Sequence, residues 1–131
     1  MQAVLLVFVG GAVGAVAREF LMLLVPTLSR GFPLDILVAN VAASLLIGLS
    51  AGRYSRKVIA DRWHLMVTTG TMGGLSTFSS FAYASSVLIE ASMTGALVAA
   101  AYILISLVMG YVAVIVGLKL GGRPQMQESP A

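Results

Sequence analysis

The chain has 131 residues, 59% of them hydrophobic and only 10% charged, with a mean hydropathy of +0.99. A water-soluble domain of this size would expose too much apolar surface, so the composition makes the bilayer the solvent. With no cysteine, disulfides, thiolate metal sites and cysteine nucleophiles are excluded; with one histidine, His64, so is a histidine cluster; and a net charge of +3 dispersed along the chain excludes a nucleic-acid surface.

Four apolar runs each approach the ~20 residues that a helix needs to cross a hydrocarbon core. The first covers about residues 3–25 and is closed by Pro26. It contains "AVA" at 15–17, which resembles a signal-peptidase site, but the residues before it carry no lysine or arginine and the apolar run continues past it, which argues against cleavage. Gly10, Gly14 and Arg18 are spaced by four and share a stripe that permits close approach of another helix. Arg18 lies ~22 Å along the run. It reads either as an arginine snorkelling to the far interface with Glu19 beside it, or as a fixed positive charge in an anion-attracting vestibule.

The second run, about 34–51, follows the turn-like "RGFP" and ends before "GRYSRK". Its Asn40, Ser44 and Gly48 lie on one stripe; Asn40 reads as interhelical glue or as an uncharged source of two N–H donors. The third run, about 63–89, begins at Trp63 and His64, a belt residue and a solvated interfacial residue. Its centre reads "GTMGGLSTFSSF", residues 70–81, a poor helix interior. A break there leaves carbonyls and N–H groups unpaired, tolerable in a membrane only inside protein or against a wet cavity. Freed carbonyls suit a small cation; freed N–H groups suit an anion. Phe78 and Phe81 fall three apart with Ser79 and Ser80 between them. They read as ordinary lipid-facing rings or, beside a break, as ring edges whose positive potential meets an anion. "EASMTG" separates this run from the fourth, about 96–118, where Tyr102, Ser106 and Gly110 repeat the four-residue spacing. The Gly- and Pro-rich remainder, 119–131, reads as a flexible tail on a single membrane domain.

An even number of spans puts both termini on one side, together with Arg53, Arg56, Lys57, Arg62, Lys119 and Arg123; only Arg30 and Arg18 fall on the other. That bias places the termini in the cytoplasm. No unpaired Asp, Glu or His sits near mid-membrane of any run, as a proton relay would require, so the chain leans toward a passive pore rather than a coupled pump. Donors outnumber buried acids, which favours an anion.

Three motifs, one per span, then resemble the Fluc (CrcB) fluoride channels: "GGAVGAVAREF", "ILVANVAASLLIG" and "GTMGGLSTFSSF". The resemblance covers about residues 3–118 and rests chiefly on the third motif. It implies an all-α membrane protein of four spans, the third interrupted, in an antiparallel dual-topology dimer with two pores in a bacterial plasma (inner) membrane. It implies a channel, not an enzyme, that lets cytoplasmic fluoride leave down its gradient, with lipid and a second subunit as its other partners. Carried over by motif, Asn40, Phe78, Phe81, Ser79, Ser80, Tyr102 and Ser106 line the anion path, and Arg18 sits at a vestibule. The backbone carbonyls of Gly73 and Ser76 hold a structural Na+ at the dimer interface. The chain departs from the family pattern in two ways. Its charge bias is strong for a dual-topology homodimer, which raises a heterodimer with an opposite-topology paralogue. "AYASS" after Phe81 lacks a glutamate that many members carry there. Two rivals remain: a small multidrug-resistance-type exporter using Glu19 as its proton-coupled acid, and a structural membrane protein that transports nothing.

Overall fold

In the computed structural model, residues 1–25 and 32–122 are described. The expectations for Pro26, Arg30, Arg123 and the tail beyond Gly122 lie outside them. All regular structure among the described residues is helical. The first run is one helix, α1 (Gln2–Leu24). The second is α2 (Leu34–Ser55). The third is split into α3 (Asp61–Leu65), a π-helical turn (Met66–Thr71), α4 (Met72–Leu75) and α5 (Phe78–Ala91). The fourth is α6 (Met93–Gly121). Three of these, α1, α2 and α6, are long and apolar enough to cross a membrane unbroken. Their outward side chains, such as Val4, Phe8, Phe20, Leu23, Leu104 and Val112, are exposed and apolar as lipid requires.

The helices run further than the hydropathy pattern suggests. Lys119 to Gly121 belong to α6 rather than to the tail, and "EASMTG" contributes only one non-helical residue, Ser92. Ser92 is extended, and its hydroxyl accepts the Gly95 N–H at 3.0 Å, capping α6 immediately. Helix α2 ends in a Schellman turn: the Val58 N–H reaches the Arg53 carbonyl at 3.1 Å and the Lys57 N–H the Tyr54 carbonyl at 2.8 Å. Lys57 takes the left-handed conformation this turn needs, at φ 57°.

Glycines decide which helices meet. A Cβ on Gly10 would lie 3.0 Å from the Thr71 nitrogen, and one on Gly14 would run into the Thr71 carbonyl; Gly70 and Gly74 answer from the other side against Val7 and Gly11. Likewise Gly48 and Gly52 on α2 face Val114, Leu118 and Gly121 on α6, while Gly117 faces Leu45 and Leu49. In both pairs the residue numbers rise together, so α1 runs parallel to the first half of the third run, and α2 parallel to α6. Without a hydrophobic drive between helices in lipid, backbone-to-backbone packing of this kind supplies the adhesion. Between the pairs sits a small core of Ala43, Met72 and Leu75, with Ala17, Leu21 and Val67 against it.

The π turn widens the third run where it meets α1. Thr68 and Thr71 return their hydroxyls to the carbonyls of His64 and Met66, at 2.7 and 3.3 Å. His64 is not simply solvated as expected. Its Nδ1 is hydrogen-bonded to the buried Ser50 hydroxyl at 3.0 Å and its ring stacks on Tyr54 at 4.2 Å, because the short α2–α3 connection folds α3 back against the end of α2. Trp63 stays half-exposed, as a belt residue should.

Candidate functional site

The break expected in "GTMGGLSTFSSF" falls at Ser76, which is extended (φ −72°, ψ 145°), and Thr77, which is non-helical (φ −132°, ψ 81°). In an unbroken helix the Thr77 N–H would bond the Gly73 carbonyl. Here it donates to Asn40 Oδ1 at 2.9 Å instead. One hydrogen bond from α2 therefore stands in for the lost helical bond and leaves the Gly73 carbonyl without its helical donor. Because a backbone N–H can only donate, the bond also fixes the Asn40 amide: its oxygen faces Thr77 and its NH2 faces away. The next helical bond, Phe81 N–H to the Thr77 carbonyl at 3.0 Å, starts α5.

Beside the break lies a groove of about 220 Å³ lined by Asn40, Ala43, Ser44, Ile47, Ser76, Phe78 and Phe81. Asn40, from the second span, meets Phe78 and Phe81, from the third, there. Phe78 and Phe81 lie 6.1 Å apart, ring centre to ring centre, tilted by 31°. The aromatic series continues: Phe81 lies 5.3 Å from Tyr102, and Tyr102 takes Phe32 edge-on at 5.4 Å and 88°. Tyr102 is fully buried, yet its hydroxyl has no partner among the described residues; the same holds for the hydroxyls of Ser106 and Thr77 and for Asp35 Oδ1. Buried polar atoms are rarely left this way unless water or a ligand completes them.

Ser76 also lines the groove, whereas Ser79, Ser80, Tyr102, Ser106, Gly73 and Arg18 do not. Ser79 is exposed and Ser80 half-buried, and neither lines it. Phe78 leaves 80% of its surface uncovered by the single chain. Gly73 and Ser76 are exposed, and a Cβ on Gly73 would touch nothing within 4 Å. Among the described residues Arg18 pairs only with its neighbour, Nη2 to Glu19 Oε1 at 3.6 Å, on a part-exposed face of α1. Such an exposed pair is worth little, ~0–1 kcal/mol.

Sequence reasoning passed over three residues that the packing brings in. Phe32 belongs to "RGFP", which signals only a turn. Thr77 stands out in the sequence only as part of a motif, with nothing to mark its backbone N–H as a donor to another helix. Asp35 stands in the first turn of α2, a position where an acid is usually a solvated partner of the helix dipole; its burial has no signature in the linear pattern.

Residues 5–118 match the family model described as CrcB-like protein, Camphor Resistance (CrcB). The chain is 55% identical over 123 residues to "Fluoride-specific ion channel FluC 1" of Brucella abortus biovar 1 (strain 9-941), covering 94% of this chain and 46% of that protein. It is 46% identical over 125 residues to "Fluoride-specific ion channel FluC 3" of Yersinia pseudotuberculosis serotype I (strain IP32953), covering 95% and 92%. To "Fluoride-specific ion channel FluC" of Ignicoccus hospitalis (strain KIN4/I / DSM 18386 / JCM 14125) it is 37% identical over 123 residues, covering 94% and 98%. The chain thus spans about half the length of the Brucella relatives it matches and nearly all of the other two.

Proposed function

This chain belongs to the CrcB-like family, and from that premise we propose that it forms a passive, fluoride-selective channel that relieves cytoplasmic fluoride toxicity across a bacterial inner membrane. The observation that carries the reading is the Asn40–Thr77 bond at the break. It holds two uncharged N–H donors toward a narrow groove edged by Phe78 and Phe81. Fluoride is small and strongly hydrated, so a pore must replace its water with several dense donors. The Asn40 NH2, the ring edges of Phe78 and Phe81, and the hydroxyls of Ser79, Ser80, Tyr102 and Ser106 form that series, and Arg18 draws anions toward its mouth. A larger anion could not shed its water into so narrow a line of donors, and the donors left unfilled would penalise it.

A second subunit completes the pathway. The exposed Phe78, Ser79, Gly73 and Ser76 form one half of a lining whose other half a copy in the opposite orientation supplies, giving two antiparallel pores. An opposite-topology paralogue would serve equally, and the one-sided distribution of arginine and lysine favours testing it beside the homodimer. The residues at the break also fit a structural Na+. Gly73 has lost its helical N–H donor to Asn40, and nothing within 4 Å would obstruct a neighbouring copy from approaching it. The carbonyls of Gly73 and Ser76 from each subunit would hold the ion, whose charge offsets their converging dipoles.

Fluoride- and chloride-selective electrodes on liposomes carrying the purified protein test the reading. The expected result is rapid fluoride release once a potassium ionophore is added, with chloride retained and Glu19→Gln without effect. Folded protein that releases no fluoride, alone or beside a co-expressed paralogue, overturns the channel. Flux that needs both Glu19 and a proton gradient would make the chain an exporter.

A further inference from the structure

A furrow of about 600 Å³ runs between α2 and α6. Leu37, Val41 and Leu45 form one wall and Val108, Val112 and Val116 the other, and no polar side chain lines it. It shares no residue with the Asn40 groove, nor with the exposed Phe78, Gly73 and Ser76 that the proposed dimer covers. On α6, Val108, Val112, Val116 and Lys119 follow at steps of four, four and three residues, a single helical stripe. The furrow therefore leads to the end of the bundle where α2 and α6 finish side by side. There a Cβ on Gly121 would lie 3.0 Å from the Arg53 nitrogen, and one on Gly122 would run into the Arg56 side chain. Arg53, Arg56 and Lys119 thus stand within a turn of the same crossing. All are exposed, and no carboxylate pairs with them among the described residues.

We propose that the furrow and its basic end form a site for an anionic phospholipid, an acyl chain lying between α2 and α6 and the phosphate among Arg53, Arg56 and Lys119. The lengths agree. Val108 lies ~16 Å back along α6 from Lys119, the depth of one leaflet of a ~30 Å hydrocarbon core. A chain hanging from a phosphate at Lys119 therefore reaches the far end of the furrow at mid-membrane. The charges agree as well. A guanidinium meets phosphate through parallel N–H donors, and basic side chains gathered between membrane helices select anionic headgroups over zwitterionic ones. A second copy of the chain is the poorer occupant. It would fill the apolar furrow but bring no anion to the cations, whereas one lipid satisfies both parts together.

Lipids with brominated chains quench a nearby tryptophan, and Trp63 is the only one in the chain. In a Trp63→Phe background, Val112→Trp sets the reporter at the exposed rim of the furrow, and Leu104→Trp sets a control on exposed α6 outside it. Each protein is placed in vesicles of phosphatidylcholine and phosphatidylglycerol in varied ratio, with one lipid or the other brominated. The binding constant of phosphatidylglycerol relative to phosphatidylcholine should be at least about fivefold at position 112, the worth of one basic side chain near an anionic headgroup. At position 104 it should be near unity. Arg53→Gln, Arg56→Gln and Lys119→Gln should each lower the value at position 112. Together they should bring it to near unity, as should ~1 M salt, which shortens the screening length to ~3 Å. A value near unity at position 112 in the protein with its cations intact, or a preference that survives the triple replacement, overturns the proposal. So does fluorescence at position 112 that neither lipid quenches, which would put a second copy on this face. None of these readings depends on transport, so the channel and the lipid site stand or fall separately.

Discussion

Asn40 does two things with one side chain: its oxygen satisfies the break, and its NH2 is left for the groove. Substitution can separate them. Asn40→Ala strands the buried Thr77 N–H, which costs about 1–3 kcal/mol, so both the melting temperature in detergent and fluoride flux should fall. Asn40→Asp keeps the acceptor and replaces the donors with oxygen. It should melt near the unmodified protein yet carry almost no fluoride, and normal flux in Asn40→Asp would show that the amide donors are not used. Phe81 packs between Phe78 and Tyr102. Phe81→Ile fills a similar space without a ring edge and should lower fluoride efflux by at least tenfold while leaving dimer formation intact.

At the scale of the element, backbone proximity carries the packing, and glycines are where it can be tested. A Cβ on Gly48 would overlap the Val114 carbonyl, so Gly48→Val must push α2 from α6. Overpacking of this kind costs about 1–3 kcal/mol, which a lowered unfolding midpoint would register; an unchanged midpoint would deny the α2–α6 register. Lys57 gives the opposite sign. A lysine at φ 57° bears ~1–2 kcal/mol of left-handed strain that glycine does not, so Lys57→Gly should raise the midpoint without touching flux. Helix lengths were legible to within a few residues because apolar composition is a property of the segment. The ends were not: whether Lys119–Gly121 and Glu90–Ala91 stay helical depends on what packs beside them and on a cap as small as Ser92.

For the whole molecule, the single chain leaves its candidate pathway half open, with Phe78, Gly73 and Ser76 uncovered. In the proposed dimer this face meets its twin around Na+. Gly73→Ala touches nothing within the subunit. It should leave the subunit's helicity intact while lowering the dimer fraction on size-exclusion chromatography, as should replacing sodium with N-methylglucamine. A dimer stable to both changes would place the interface elsewhere.

The amino-acid pattern alone determined the solvent, the number of apolar runs, the site of the break and the family, because each is written in local composition or in a contiguous motif such as "GTMGGLSTFSSF". It also named Asn40, Phe78, Phe81, Tyr102 and Ser106 without saying which of them touch. Only the tertiary structure decided that the Asn40 oxygen replaces the Gly73 carbonyl at Thr77, that Phe32 closes on Tyr102, and that Asp35 is buried. These follow from the glycine-set register of one helix against another, and a register between distant segments leaves no period in either of them.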